Sequence, residues 1–194
     1  YKIIYGSYAS TDVYYRKPLT FHTCNPQAPA TSFVMVNDIH GDNKLLEDLM
    51  SRCNLTQTDF VLFNGDMLSF INSEDQLFKG FMDTAVRLFA SEIPMYYARG
   101  NHETRGVFAT EIQRYFSPCQ EHLYYAFRQG PVYCIVLDTG EDKPDSDIEY
   151  AGITQYDLYR TEQSEWLASI LESTEYKEAP FKIIVAHIPP AVTE

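Results

Sequence analysis

No run of about 18 apolar residues occurs in this chain of 194 residues, which argues against a membrane-spanning helix. Positive charge is scarce: 15 Lys and Arg stand against 27 Asp and Glu, a formal net charge of −12. The basic residues form no cluster, so no nucleic-acid partner is expected, because a polyanion is held by a Lys/Arg footprint. There is no CxxC pair, which argues against a zinc knuckle. Four cysteines, Cys24, Cys53, Cys119 and Cys134, allow two disulfides by count without deciding the redox compartment. Cys53 and Cys134 fall in apolar helix and strand patterns and read as core residues. Signal peptide, internal repeat and low-complexity tract are all missing. The chain opens mid-pattern on Tyr1-Lys2-Ile3-Ile4-Tyr5, so a natural N-terminus is expected upstream.

What is present is apolar and aromatic. The chain is 45% hydrophobic, with 15 Tyr and 12 Phe. That suffices for one domain with a substantial core, or one domain and a fragment of another.

Residues 1–31 read differently from the rest. Short aromatic alternations such as Val13-Tyr14-Tyr15-Arg16 end in Asn25-Pro26-Gln27-Ala28-Pro29-Ala30. This β-rich segment and linker is either the tail of a preceding β-sandwich domain or an extension packed on the main domain. Residues 32–194 form the expected main domain. Apolar runs at 32–37, 60–63, 94–98 and 181–186 predict buried strands. Helical spacing marks 43–53, 74–89 and 162–171. Residues 123–127 and 132–138 predict a hairpin around Arg128-Gln129-Gly130-Pro131. Strands alternating with helices imply an α/β fold with parallel βαβ units.

Polar residues follow the strands in a regular way. The first run enters Asp38-Ile39-His40-Gly41-Asp42, the second Asn64-Gly65-Asp66, the third Gly100-Asn101-His102-Glu103, and the last His187. Ligands bind at the carboxyl edge of such sheets. Singly, each piece has a plain structural reading. Gly-Asp starts turns, Asn101 or Asp42 could cap a helix, and a lone histidine after a strand is usually satisfied by its surroundings. Four pieces in order, each at a strand end, make a far stronger signal. Two cations roughly 3.5–4 Å apart need one shared anionic ligand and a mixture of hard oxygens and imidazoles. Asp66 can be shared. Asp38 and His40 can hold one ion, and Asn101 and His187 the other. His102 is then free to give a proton to a leaving oxygen. Two divalent ions outweigh two carboxylates and a bridging hydroxide, so the site stays cationic and attracts a small phosphorylated substrate even in an acidic protein.

Asp38-Ile39-His40, Gly65-Asp66, Gly100-Asn101-His102-Glu103 and His187 together resemble the ordered blocks of the calcineurin-like metallophosphoesterase superfamily over roughly residues 32–190. The resemblance implies a sandwich of two mixed β-sheets flanked by helices. It also implies a binuclear centre drawn from iron, zinc or manganese, with Asp38, His40 and Asp66 on the first metal. Asp66, Asn101 and His187 would hold the second, and His102 would act as proton donor or transition-state stabiliser. The implied function is hydrolysis of phosphomonoesters or phosphodiesters by a metal-bridging hydroxide.

Two departures bear on this reading. The superfamily's final Gly-His-x-His block does not occur before Glu194, so the domain is expected to be C-terminally incomplete here. Tyr159, Arg160, Gln163, Trp166 and Leu167 also resemble the purple acid phosphatases, a layout that leans towards export. Those proteins, however, place a tyrosine ligand where this chain has Ser69, and glycine where it has His40. A colourless site without iron–tyrosinate charge transfer is therefore expected. The rival readings are a catalytically inactive scaffold of the same fold, and a nuclease, against which the acidic charge counts.

Overall fold

The computed structural model describes residues 4–5, 14–15, 19–23, 25–116 and 121–189. Cys24, Cys119 and the residues beyond 189 lie outside the described residues, as do parts of the Val13–Arg16 stretch. Ile4–Tyr5 (β1) and Tyr14–Tyr15 (β2) form a short antiparallel pair.

The first main sheet has the order β3 (Phe33–Val36), β4 (Phe60–Asn64), β5 (Met95–Ala98), all parallel. The second has the order β6 (Tyr125–Gln129), β7 (Val132–Val136), β8 (Phe181–Val185). Here β6 and β7 are antiparallel and β8 runs parallel to β7. The mixed pairing thus falls in the second sheet.

Period-two alternation on the central strands builds the layers. On β4, Val61 and Phe63 face the helices and pack with Leu46, Leu77, Phe81 and Phe89. Phe60 and Leu62 face the second sheet and meet Cys134, Val136 and Val185. The other face of β7 carries Tyr133 and Ile135 onto Trp166, Leu167 and Ile170. The result is helix, sheet, sheet, helix. Each fully buried Phe or Leu contributes roughly 1.5–3 kcal/mol. Cys134 belongs to the layer between the sheets, and burial pushes its thiol up to about 12.

The helices follow from local signals in some places and distant ones in others. Asp42 caps Asn43–Met50, its Oδ1 accepting from the Leu45 backbone N–H at 3.0 Å. Residues 74–90 are helical throughout, but α turns (Glu74–Leu77, Asp83–Ala85) alternate with π turns (Phe78–Met82, Val86–Ala90). The helix expected at 162–171 runs Tyr156–Glu172. Its start is capped from a distance: Asp145 accepts from the backbone N–H groups of Tyr156 and Asp157, each at 2.9 Å. Among the described residues no helix is long and apolar enough to cross a membrane.

The segment leading into β3 lies on the β6–β7 turn. Gly130 N–H donates to the Asn25 carbonyl at 3.0 Å, and the Thr31 hydroxyl to the Gln129 carbonyl at 2.8 Å.

Candidate metal centre

The carboxyl ends of β3, β4, β5 and β8 meet at one edge. The first two loops run side by side there: His40 N–H donates to the Asp66 carbonyl at 2.9 Å, and Asp38 N–H to the Gly65 carbonyl at 3.1 Å. Asp38, His40 and Asp66 all adopt left-handed backbone, with φ of 58°, 51° and 54°. Such positions cost about 1–3 kcal/mol each and persist where surrounding contacts hold them. Three of them at three candidate ligands mark a backbone shaped to aim side chains. Gly65 and Gly100 permit the β4 and β5 loops to touch. A Cβ on Gly65 would sit 2.6 Å from Gly100 Cα, and one on Gly100 2.2 Å from Asp66 Oδ1.

Of the six residues singled out by sequence, four converge on a fifth, Asp66, which is only 4% exposed. Its Oδ2 lies 3.2 Å from His187 Nε2, 3.8 Å from His102 Nε2 and 3.9 Å from His40 Nε2. His40 Nε2 is also 3.7 Å from Asp38 Oδ1. Two groups with ligand atoms within 4.8 Å of one another result, His40–Asp66–His102 and Asp38–Asp66–His187. Asp66 belongs to both. His102 falls beside His40, and Asp38 lies within reach of both His40 and His187. Asn101 reaches Glu141 instead, its Nδ2 donating to Oε2 at 3.3 Å. That contact leaves Oδ1 as the end of its amide able to serve a cation.

The donor set fits a cation. His187 Nδ1 is 2.7 Å from the Asn64 carbonyl, and His102 Nδ1 is 3.0 Å from the Ser69 carbonyl. A carbonyl only accepts, so both Nδ1 atoms carry hydrogen. In the neutral rings the Nε2 lone pairs then face the Asp66 carboxylate, an arrangement that needs a proton or a metal between them. At His187 in the metal-free protein the proton serves. The hydrogen bond that His187 donates to Asp66 raises its imidazole to about 9. Burial by itself would raise the Asp66 carboxyl, but the His187 and His102 hydrogen bonds hold it below the usual carboxylate range. Because the folded value for His187 is the raised one, its contribution to metal-free stability is full below about 6.5 and is lost as pH rises through about 9. Metal uptake between those limits is expected to release about one proton per chain from His187. Calorimetric titration with zinc in buffers of differing ionisation enthalpy reads that number. A value near zero at pH 7.5 would contradict the placement of His187.

Sequence reasoning missed the residues that hold this edge together. Glu103 is fully buried and accepts three backbone N–H bonds: Asp66 at 2.9 Å, Leu68 at 2.9 Å and Gly100 at 3.0 Å. It clips the β4 loop to the β5 loop. Burial pushes its carboxyl above the ordinary range while the three donors favour the charged form. Replacing Glu103 with Gln turns an amide N–H₂ towards backbone donors, and is expected to cost about 2–4 kcal/mol. For a domain of this size that is a fall in Tm of roughly 5–15 °C. Unchanged thermal unfolding would contradict the clip.

Arg99, directly after β5, is largely buried. It grips the fully buried Asp138 through Nε at 3.1 Å and a terminal nitrogen at 2.8 Å, and this contact holds its guanidinium above the usual range against the effect of burial. The Tyr159 hydroxyl donates to Asp138 at 2.9 Å, and Gln163 pairs with the Asp138 backbone through both ends of its amide. The Tyr159–Leu167 stretch therefore ties the long helix to the strand end. A structural signal for Asp138 was available, since it too follows a strand. Where the purple acid phosphatases carry a tyrosine, Ser69 Oγ lies 3.2 Å from His40 Nδ1.

A cavity of about 570 Å³ opens beside this edge, lined by His40, Ser69, Phe70, Gln76 and Lys79 among others. A larger one, about 650 Å³, lies at the opposite strand ends around Asp59 and Pro94, away from these groups.

Comparison with known proteins agrees with the geometry. The family model for calcineurin-like phosphoesterases matches residues 31–193. Among solved structures, a purple acid phosphatase isolated from yellow lupin (Lupinus luteus) seeds superposes with a TM-score of 0.65 at 18% identity, over 90% of this chain and 34% of that one. The likeness is one of fold, and the chain spans about a third of that phosphatase's length. No curated protein matches.

Proposed function

The chain belongs to the calcineurin-like phosphoesterase family, and from that premise we propose that it hydrolyses phosphoester bonds at a two-metal centre built on Asp66. The observation that supports this reading is the position of the Asp66 carboxylate in both candidate ligand groups. Asp38 and His40 would hold one ion with it, and His187 the other. Asn101 Oδ1 would join through its amide, which Glu141 orients. When bound, the ions supply Lewis acidity for the phosphoryl oxygens and lower the pKa of water.

The protein's own groups do the rest. The Ser69 carbonyl fixes His102 through Nδ1, so the proton His102 can pass to a leaving oxygen is carried on Nε2. The cavity beside His40 and Ser69 has room for the alcohol portion of a substrate. Iron, zinc and manganese all suit this set of imidazole, carboxylate and amide donors.

The test is hydrolysis of para-nitrophenyl phosphate and its bis-ester by the intact protein, before and after chelation. Turnover that chelation removes and zinc, manganese or iron restores is expected. Metal binding without turnover of either ester would instead assign the fold a scaffold role.

A further inference from the structure

Arg105 sits at the rim of the site. It is half-exposed, unlike its partner Glu141, which is 7% exposed. The two meet as a fork: Nε donates to Oε1 at 3.0 Å, and one terminal nitrogen, Nη2, to Oε2 at 3.2 Å. Glu141 is further held by the Thr104 hydroxyl at 3.0 Å and by Asn101 Nδ2 at 3.3 Å. A planar guanidinium gripped along one edge cannot swing freely. Its remaining nitrogen, Nη1, is thereby set against His102, 3.4 Å from Nδ1 and 3.5 Å from Nε2. Nη1 carries two hydrogens, and they lie beside the imidazole that faces Asp66. The surrounding protein is acidic, so a cation fixed at this rim is a selected location for an anion.

Resting on the two-metal reading above, we propose that Arg105 anchors a terminal phosphoryl oxygen of the substrate, with Glu141 as its positioning residue, and that the substrate class is a phosphomonoester dianion. A monoester offers three terminal oxygens. A diester offers two, and its third position bears a carbon group that cannot accept from Nη1. The anchor acts on the bound ester and on the phosphate product alike, so it governs KM and product affinity more than kcat.

The experiment compares the intact wild-type protein with Arg105→Lys and the double variant Arg105→Gln/Glu141→Gln. The double variant removes both charges and so leaves no buried carboxylate unpaired. Binding of inorganic phosphate to the metal-loaded proteins is measured by equilibrium dialysis, together with metal content and kinetics on the mono- and bis-nitrophenyl esters. Orthophosphate binding is expected to weaken about 10- to 100-fold in both variants, as loss of a hydrogen bond to a charged group would give. Metal content should stay unchanged in Arg105→Lys, which keeps Glu141 and its bond to Asn101, and in both variants the monoester-to-diester ratio of kcat/KM should fall at least about tenfold. Unaltered phosphate affinity, or equal loss on both esters, would overturn the proposal while leaving the phosphoesterase reading intact. A wild-type protein that turns over neither ester fails at the earlier step instead.

Discussion

Replacing Asp66 with Asn is expected to abolish hydrolysis and lower the metal content from the proposed two ions per chain to one or none. The substitution keeps shape and removes charge. The Asn oxygen can still accept from the His102 backbone N–H, which Asp66 Oδ1 does at 3.1 Å. What is lost is the anion that three imidazole nitrogens face, at 3.2, 3.8 and 3.9 Å. No other carboxylate belongs to both candidate groups. We expect kcat/KM to fall at least about a thousandfold, or ~4 kcal/mol at 1.36 kcal/mol per decade. Elemental analysis and steady-state kinetics on the same preparation check it. Full metal occupancy in the variant would contradict the shared role of Asp66.

The second large effect is expected from His102→Ala, and it separates two roles that distance alone does not. His102 Nε2 and His40 Nε2 stand almost equally far from Asp66 Oδ2, at 3.8 and 3.9 Å. If His102 is the proton donor, its loss lowers kcat about 10²- to 10⁴-fold and leaves the metals in place. The deficit should be larger for an alkyl phosphate than for para-nitrophenyl phosphate, because nitrophenolate departs without help. If His102 is a ligand, metal content falls as it does for Asp66→Asn, and the leaving group makes no difference. Equal metal loss in the two variants would sink the assignment made here.

Much of the site could be read from the sequence because its parts are local. An apolar run followed at once by Asp38, Asp66, Asn101 or His187 is visible within a few residues, and the βαβ rhythm places every such end on one edge. The parts that escaped are non-local. Glu103 bonds backbone groups 37 and 35 residues away at Asp66 and Leu68. Asp145 caps a helix that begins 11 residues later, which is why that helix starts well before 162. Glu141 sits in a stretch whose composition reads as a solvated acidic loop, yet Asn101, Thr104 and Arg105 all converge on it. Hydrogen bonds of this kind leave no periodicity in a sequence. Left-handed backbone at Asp38, His40 and Asp66 sets where each side chain points, and residue spacing does not reveal it.

The most direct measurement is anomalous diffraction from crystals of the intact protein loaded with zinc or manganese. The account predicts two peaks roughly 3.5–4 Å apart, one on either side of the Asp66 carboxylate. Asp38 and His40 should bind one of them, His187 the other, and His102 neither. A single peak, or two peaks that do not share Asp66, would contradict it.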